Sequence, residues 1–419
     1  MQNLQGRTQG KPARGNVLES RVARPPAQPG PHAARRSQRG LLRGSFLALA
    51  IAVTASAAKG QLSTQDHLSE PGFWPTQEQA SRAEFVGSDV CARCHAMKTA
   101  TQKETPMAKN LALAKDAEVL RAHPALAFSA HQFEYRIDTD QKQSTFSIAG
   151  EGQRLSYPLL WAFGTGRVAQ SYLFKQQDGK FYEARASYFT NLHGLDFTPA
   201  RALASASSIE QAMYRPIPMD EVRRCFACHA TAANVGGGFD EQHLIPGVGC
   251  EACHGPGAGH VKFMDNRAAS LSGAGKSTIF NPGDLIAADA VDFCGACHGT
   301  WWDTKLSGIK GVSSARSAPY RLVTSKCWGT GDARLACAAC HDPHRQLQTD
   351  ASDYDPICLS CHVSRPGEKP TSSHPGAACP KATKKCTDCH MEKVYVPDMH
   401  ANFTDHRIRI AHPGEPFPE

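Results

Sequence analysis

Between residues 134 and 189 the chain alternates apolar and polar positions in short runs. EYRID (134–138) and TFSIAG (145–150) each change character at every residue. A period of two is that of a strand with one buried face. QSYLFKQQDGKFYEARASYF (170–189) holds two further strand-like runs with Asp178-Gly179 between them, a short-range hairpin signal. The pattern predicts a small antiparallel sheet over residues 128–192. AMKTATQKETPMAKNLALAK (96–115) reads as a helix. Residues 225–390 sustain neither period and are rich in glycine and proline, which predicts short helices joined by loops. The expected fold class is mainly α with much irregular loop and a small antiparallel β insertion.

The longest apolar run stands apart from these elements. SFLALAIAVTASA (45–57) follows an arginine-rich stretch ending at Arg43 and finishes on the small residues Ala55-Ser56-Ala57. A short apolar core between a basic flank and a small-residue cleavage site is the pattern of an export signal. It is too short for a bilayer-spanning helix, which needs about 18 apolar residues, and no transmembrane segment is expected elsewhere. The leader changes the reading of charge. The whole chain carries +7, but residues 1–57 hold nine basic residues and one acidic. Taking these from the 46 basic and 39 acidic residues leaves 37 and 38, a net of −1. The working protein is therefore not basic, and no nucleic-acid partner is expected. The expected location is the bacterial periplasm or the extracellular space.

Cysteine and histidine carry the chemistry. Of 16 cysteines, 14 fall in seven copies of Cys-x-x-Cys-His. They are Cys91/Cys94/His95, Cys225/Cys228/His229, Cys250/Cys253/His254, Cys294/Cys297/His298, Cys337/Cys340/His341, Cys358/Cys361/His362 and Cys386/Cys389/His390. This is the attachment signature of c-type haem. The two sulfurs add to the two vinyl groups on one porphyrin edge, and the adjoining imidazole turns under the ring to the iron. Zinc sites use paired cysteines too, and dithiol redox motifs share the spacing. Neither requires histidine after every pair, so seven covalently attached haems are expected, each with its motif histidine as one iron ligand. Export agrees, because c-type haem is attached outside the cytoplasm.

Eleven histidines after the leader remain for the opposite faces: His67, His123, His131, His193, His243, His260, His344, His374, His400, His406 and His412. His260 follows the third motif through GPGAG, a link too short to reach round to the far face of the same iron. It is expected to cap a neighbouring haem. His344, three residues past His341, lies on the same side of a helical turn and would likewise serve another iron. His374 precedes the seventh motif, and His400 and His406 follow it; all three are further distal candidates. The first haem is the least well supplied, with no histidine downstream until His123 and only Met107 on the adjoining segment. Met in place of His raises the reduction potential, and an absent ligand leaves a reactive iron. Cys327 and Cys379, outside the motifs, are an even remainder in an oxidising compartment and are expected to form a disulfide.

Successive motifs start 134, 25, 44, 43, 21 and 28 residues apart. Six haems thus share residues 225–390, too little chain for a conventional core round each. The macrocycles are expected to be much of the core there, a haem-packed architecture. The expected organisation is a leader with signal peptide (1–57), a linker (58–84), a first haem-binding segment (85–127), the β-containing insertion (128–215), a six-haem cluster (216–400) and a tail (401–419). FGTGRVAQ (163–170) has only a Gly-x-Gly. SGAGKST (272–278) has Ser270 where a phosphate loop needs its first glycine, so neither is read as a nucleotide site.

GVGCEACHGPGAGHV, CAACHDPHR and CTDCHMEK resemble stretches of bacterial multihaem c-type cytochromes, those related to the tetrahaem cytochrome c of ammonia oxidisers and to the hydroxylamine oxidoreductase superfamily. RPIPMDEVRRCFACHAT and FTDHRIRI are similar to segments of a larger branch. The resemblance covers roughly residues 85–410. It implies that His260, His344 and His374 are distal ligands and that the chain conducts electrons between redox-protein donors and acceptors. Two catalytic hallmarks are missing: no Cys-x-x-Cys-Lys occurs, as in nitrite-reducing relatives, and hydroxylamine-oxidising relatives have eight haems. The reading is an electron carrier rather than an enzyme. The rival is a multihaem oxidoreductase acting on a small nitrogen or sulfur compound at one five-coordinate haem. Oligomeric state leaves no mark on the sequence.

Overall fold

In the computed structural model the described residues are 63–69, 74, 80–199, 206–266, 278–328, 335–362, 379, 381–412 and 414–419. The leader, His374 and nearly all of SGAGKST lie outside them. Among the described residues, no helix is long and apolar enough to cross a membrane.

Eleven strands follow one another from residue 111 to 216: β1 (Leu111–Leu113), β2 (Ala125–Ala130), β3 (Phe133–Thr139), β4 (Ser144–Gly150), β5 (Gln153–Pro158), β6 (Trp161–Phe163), β7 (Ala169–Lys175), β8 (Phe181–Ala184), β9 (Ala186–Phe189), β10 (Gly194–Phe197) and β11 (Tyr214–Pro216). β2 to β5 form a four-stranded meander, and the other seven form a sheet ordered β1-β6-β7-β8-β11 with β9 and β10 branching from β7. Every pairing among them is antiparallel. Gly179 takes φ +76° in the turn between β7 and β8, a conformation that costs glycine nothing.

The strands begin well before residue 128. β1 and β2 escaped the pattern because LAL is too short to show a period, and ALAFSA puts small alanines at the polar-face positions. The expected helix over 96–115 is also shorter: it spans Ser88–Lys103 and gives way to turns and then β1. Pro106 lies just past its end, where proline cannot continue a helix.

β7 is buried on both faces, and its alternation divides two cores. Tyr172 and Phe174 join Tyr135, Ile137, Phe146 and Ile148 between the two sheets. Leu173, one residue out of phase, joins Leu111, Trp161, Phe181, Val222 and Phe226 on the far side. Val222 and Phe226 belong to the helix Met219–His229, which ends in the second Cys-x-x-Cys-His. The sheet is therefore the platform on which that motif rests. Phe226, the residue after Cys225, meets Trp161 and Phe163 edge-on at ring separations of 5.5 and 5.1 Å.

Beyond Leu244 the buried apolar residues among the described residues are few: Val291, Ala315, Tyr320, Leu322, Val396 and Ala401. That stretch carries the last five motifs on short helices: Cys250–His254, Ala287–His298, Cys337–Cys340, Asp355–His362 and Cys386–His390. A final hairpin pairs Lys393–Val396 with Ala401–Thr404.

Candidate functional site

Every motif but the first sits at the C-terminal end of a helix, and in the first the helix Ser88–Lys103 kinks at His95, so the Cys-x-x-Cys turn and its histidine project together. Free cysteine is among the most buried residue types. None of the 14 motif cysteines is fully buried. Their thiols stand where the haem thioether sulfurs would be.

Three motif histidines are held by their outer nitrogen. Nδ1 of His229 lies 3.1 Å from the Asn110 carbonyl, that of His254 2.8 Å from Phe280, and that of His390 2.9 Å from Arg409. Asn110 also donates its side-chain amide to the Cys228 carbonyl at 3.3 Å, fixing both ends of the second motif. A histidine bound to metal through one nitrogen commonly donates the other N–H to a carbonyl or carboxylate. Here Nε2 is left for the metal. Burial pushes the imidazoles of His229, His298, His341 and His406 below the ordinary histidine value. They are neutral at physiological pH, which is the ligating form.

Three motif histidines are faced by a second imidazole. His95 and His260 face each other at 6.5 Å between ring centres with 23° between planes. His254 and His344 stand 6.1 Å apart at 17°, and His341 and His406 6.2 Å apart at 48°. These separations are too long for direct stacking and match a metal between the rings. Two imidazole–metal bonds of about 2.0 Å in line put the ring centres ~6 Å apart. The distal imidazoles are also held at Nδ1: His406 on the Thr404 carbonyl at 3.0 Å and His344 on the Asp342 carboxylate at 3.1 Å. The residues fit haem ligated by histidine on both faces at these three motifs.

The His95–His260 pair alters the picture of the first haem. His260 comes from 165 residues downstream, across the whole β insertion, which is why no local reading found it for that motif. Met107 engages through its backbone, its carbonyl accepting the Val248 N–H at 2.9 Å.

His400 departs from its expected role. Its Nε2 lies 2.9 Å from an Asp196 carboxylate oxygen and its ring meets Phe189 edge-on. The nitrogen that would reach an iron is already engaged, and the residue sits at φ +49° in the final hairpin. His123 bonds the Tyr188 hydroxyl at 3.1 Å, and His243 pairs with Asp240. His131 and His193 occupy turn positions with φ +54° and +48°. His67 is buried, stacked on Trp302 with its Nε2 3.8 Å from Asp292. His412 is exposed.

The expected disulfide between Cys327 and Cys379 is not formed. Cys379 is exposed, and hydrogen bonds from the backbone of Lys381 and Ala382 draw its thiol below the ordinary cysteine value. A lowered pKa keeps the thiolate present, and reactive, to lower pH than for an ordinary cysteine. Iodoacetamide treatment of the haem-loaded protein is expected to label Cys379 even on the acidic side of the usual thiol range, read by peptide mass spectrometry. Labelling that appears only after reduction would restore the disulfide.

Contacts between motifs give their order in space. The Cys91 thiol hydrogen-bonds Cys250, Cys228 bonds Cys297, Cys294 bonds Cys337 and Cys358 bonds Cys386. Cys253 lies within electrostatic reach of Cys294, and Cys340 within reach of Cys358. Motifs 1, 3, 4, 5, 6 and 7 are thus neighbours in that order, and motif 2 joins the line at motif 4.

Four of the expected haem-binding cysteines stand outside this line of sulfurs: Cys94, Cys361, Cys389 and Cys225, the last packed against the apolar cluster around Phe226. Cys94 and Cys389 are exposed, and Cys361 is half-buried with its thiol 3.8 Å from Ser360 Oγ. The reason lies in which sulfur meets the neighbour. Motifs 1 and 7 end the line, and their one neighbour is met by the first cysteine, Cys91 or Cys386. In motif 6, Cys358 faces both neighbours. The second cysteine of each is left off the line, and at Cys389 the packed group is the backbone carbonyl, which accepts the Ala411 N–H at 3.1 Å. Unlike the other ten, these four are assigned to a haem by their spacing within the motif and not by a neighbouring motif's sulfur.

Residues 186–255, which include the second and third motifs, match the family described as cytochrome c554 and c-prime. A cytochrome c-554 of Nitrosomonas europaea is 30% identical over 108 residues, 24% of this chain and 42% of that protein. The chain thus spans less than half the length of this curated relative. Among solved structures, the outer cell wall cytochrome OcwA aligns over 78% of this chain and 80% of its own, with a TM-score of 0.40 and 15% identity, too low to assign a fold. The sequence matches and the repeated motifs support a c-type cytochrome with more than one haem.

Proposed function

We propose that this is an exported seven-haem c-type cytochrome that carries electrons between redox-protein partners. The single observation that carries the reading is the set of three imidazole pairs at 6.1–6.5 Å, each made of one motif histidine and one histidine from elsewhere in the chain. Bound c-type haem supplies one-electron chemistry, its iron cycling between ferric and ferrous. The chain's part is to fix ligands, spacing and surroundings. Histidine on both faces leaves no position for a substrate, which favours transfer over catalysis. The thiol contacts between successive motifs support a continuous line of haem edges, with the second motif as a branch. The shortage of buried apolar residues beyond Leu244 supports haem as the missing core. The matched cytochrome c-554 and the leader read from the sequence support an exported carrier.

The rival, an oxidoreductase with one open iron, has less support at the first haem, where His260 faces His95, than at the second, fourth and seventh motifs. Among the described residues no second imidazole stacks on His229, His298 or His390, and the ring beside His229 is Phe163, edge-on at 5.1 Å. The test is an electron paramagnetic resonance spectrum of the oxidised, haem-loaded protein, together with its haem content. Seven haems per chain and only low-spin ferric signals are expected. A high-spin component worth about one haem would move the assignment to the enzyme.

A further inference from the structure

Two buried carboxylates bridge pairs of motif helices in the same way. Glu251, between the cysteines of the third motif, is 2% exposed. Its Oε1 accepts the backbone N–H of Val86 at 2.8 Å and of Gly257 at 2.7 Å, and its Oε2 accepts that of Gly87 at 2.7 Å. Val86 and Gly87 lead into the helix Ser88–Lys103, which carries His95. Gly257 leads into the helix Ala258–Asp265, which carries His260. One carboxylate therefore ties the third motif to the helices bearing both imidazoles of the His95–His260 pair. The tie is returned, since the Cys250 N–H points to Ser88 Oγ at 3.5 Å.

Asp355 repeats the arrangement at the other end of the line. It opens the sixth-motif helix and is 7% exposed. Its Oδ2 accepts the Lys385 N–H at 2.7 Å and its Oδ1 the Cys386 N–H at 2.8 Å, at the start of the seventh-motif helix. The first N–H groups of a helix have no partner within it, and negative charge is favoured beside them. A capping residue normally comes from the same helix. Here each carboxylate comes from a different motif, the one whose cysteine touches the capped motif: Cys250 on Cys91 and Cys358 on Cys386. Hydrogen bonds to an ionised acceptor are short and roughly twice as strong as neutral ones, so the pairs are held at a set distance.

We propose that Glu251 and Asp355 are positioning residues that fix the separation and tilt of the haem pairs at motifs 1/3 and 6/7, and that Glu251 also holds His260 across from His95. The inference rests on the motifs carrying haem. It is tested on the full haem-loaded chain with E251L, E251Q and D355L, the parent's haem content and spectrum being measured alongside. Failure of haem binding would appear in the parent, whereas failure of the clamp would appear only in the variants.

E251L leaves three buried N–H groups without an acceptor. It is expected to turn about one haem from low-spin to high-spin at unchanged haem content. E251Q keeps a carbonyl oxygen for Val86 and Gly257 but loses the charge. It is expected to stay low-spin while the midpoint potential of one haem rises, because a nearby negative charge favours the ferric state. D355L is expected to change the line shape of the low-spin signals, through altered coupling of the 6/7 pair, with no new high-spin iron. Parent-like spectra and redox titrations for both Glu251 variants would overturn the proposal for that pair, and an unchanged D355L line shape would overturn it for the other. If E251L takes up no haem, E251Q decides alone, and an unshifted titration overturns the clamp.

Discussion

Replacing His260 by alanine is expected to convert one iron from low-spin to high-spin and leave the others as they were. His260 faces His95 at 6.5 Å, and among the described residues no other imidazole stacks on His95. The other two pairs, His254–His344 and His341–His406, share no residue with it. Removing the ring should therefore open one site, and only there should the reduced protein bind carbon monoxide, at about one equivalent per chain. The midpoint potential of that haem should rise, since loss of an imidazole donor removes a ligand that favours ferric iron. H400A is the control. His400 spends its Nε2 on Asp196, so its removal should leave the spectrum unchanged. A low-spin H260A would mean that the two rings do not share an iron, and a high-spin H400A would reinstate His400 as a ligand.

The contrast between His260 and His400 marks how far the sequence could be read. Fixed-spacing chemistry was legible: the seven Cys-x-x-Cys-His units and the Asp178-Gly179 turn are local patterns that need no tertiary knowledge. The distal side was half legible. A link too short to close on its own iron set His260 apart from His254, but which motif histidine it faces could not be read, because the two chain segments that meet are 165 residues apart. His400 looked as good as His406, six residues on. What separates them is tertiary: Asp196, at the edge of the β insertion, captures one, and the Thr404 carbonyl aims the other. Spacing alone also made all fourteen motif cysteines equivalent, whereas Cys94, Cys361 and Cys389 stand off the line because their motif partners take the contacts along it. Glu251 was invisible for a related reason. Its position within the motif tolerates any residue, and its role depends on three backbone N–H groups from two segments. The extent of the β insertion was misjudged at its start because short, alanine-rich strands carry no usable alternation. The buried acidic and basic partners of the C-terminal segment were missed as well, and they govern the second large effect.

Replacing Asp405 by asparagine should destabilise the protein by about 3–5 kcal/mol, the usual cost of leaving one partner of a buried ion pair uncompensated. Arg321 and Asp405 are 0% and 1% exposed. Arg321 donates Nε–H to Oδ1 at 2.7 Å and a terminal N–H to Oδ2 at 2.8 Å, a forked pair. Its other terminal nitrogen donates to the Pro418 carbonyl at 2.9 Å, and the Phe417 ring lies 4.4 Å from the guanidinium carbon. The pair thus pins the last residues of the chain to the helix Ala318–Val323. It also sits beside a proposed ligand. Asp405 precedes His406, and Ser325, two residues past that helix, donates to the His406 carbonyl at 3.2 Å and accepts the Ile408 N–H at 2.8 Å. D405N and R321M should therefore lose stability and, in the same samples, convert the His341–His406 iron towards high-spin. The double replacement R321M/D405L separates the two effects. Removing both charges should recover much of the stability, since apolar side chains often replace a buried pair at little cost. The His406 loop would still lack its anchor, so the high-spin signal should persist. Urea unfolding followed by circular dichroism gives the first quantity and the oxidised spectrum the second. A D405N change within about 0.5 kcal/mol, the range of ordinary surface substitutions, would mean that the pair does not hold the segment. A fully low-spin double variant would mean that Ser325 and the Thr404 carbonyl suffice to aim His406 without it.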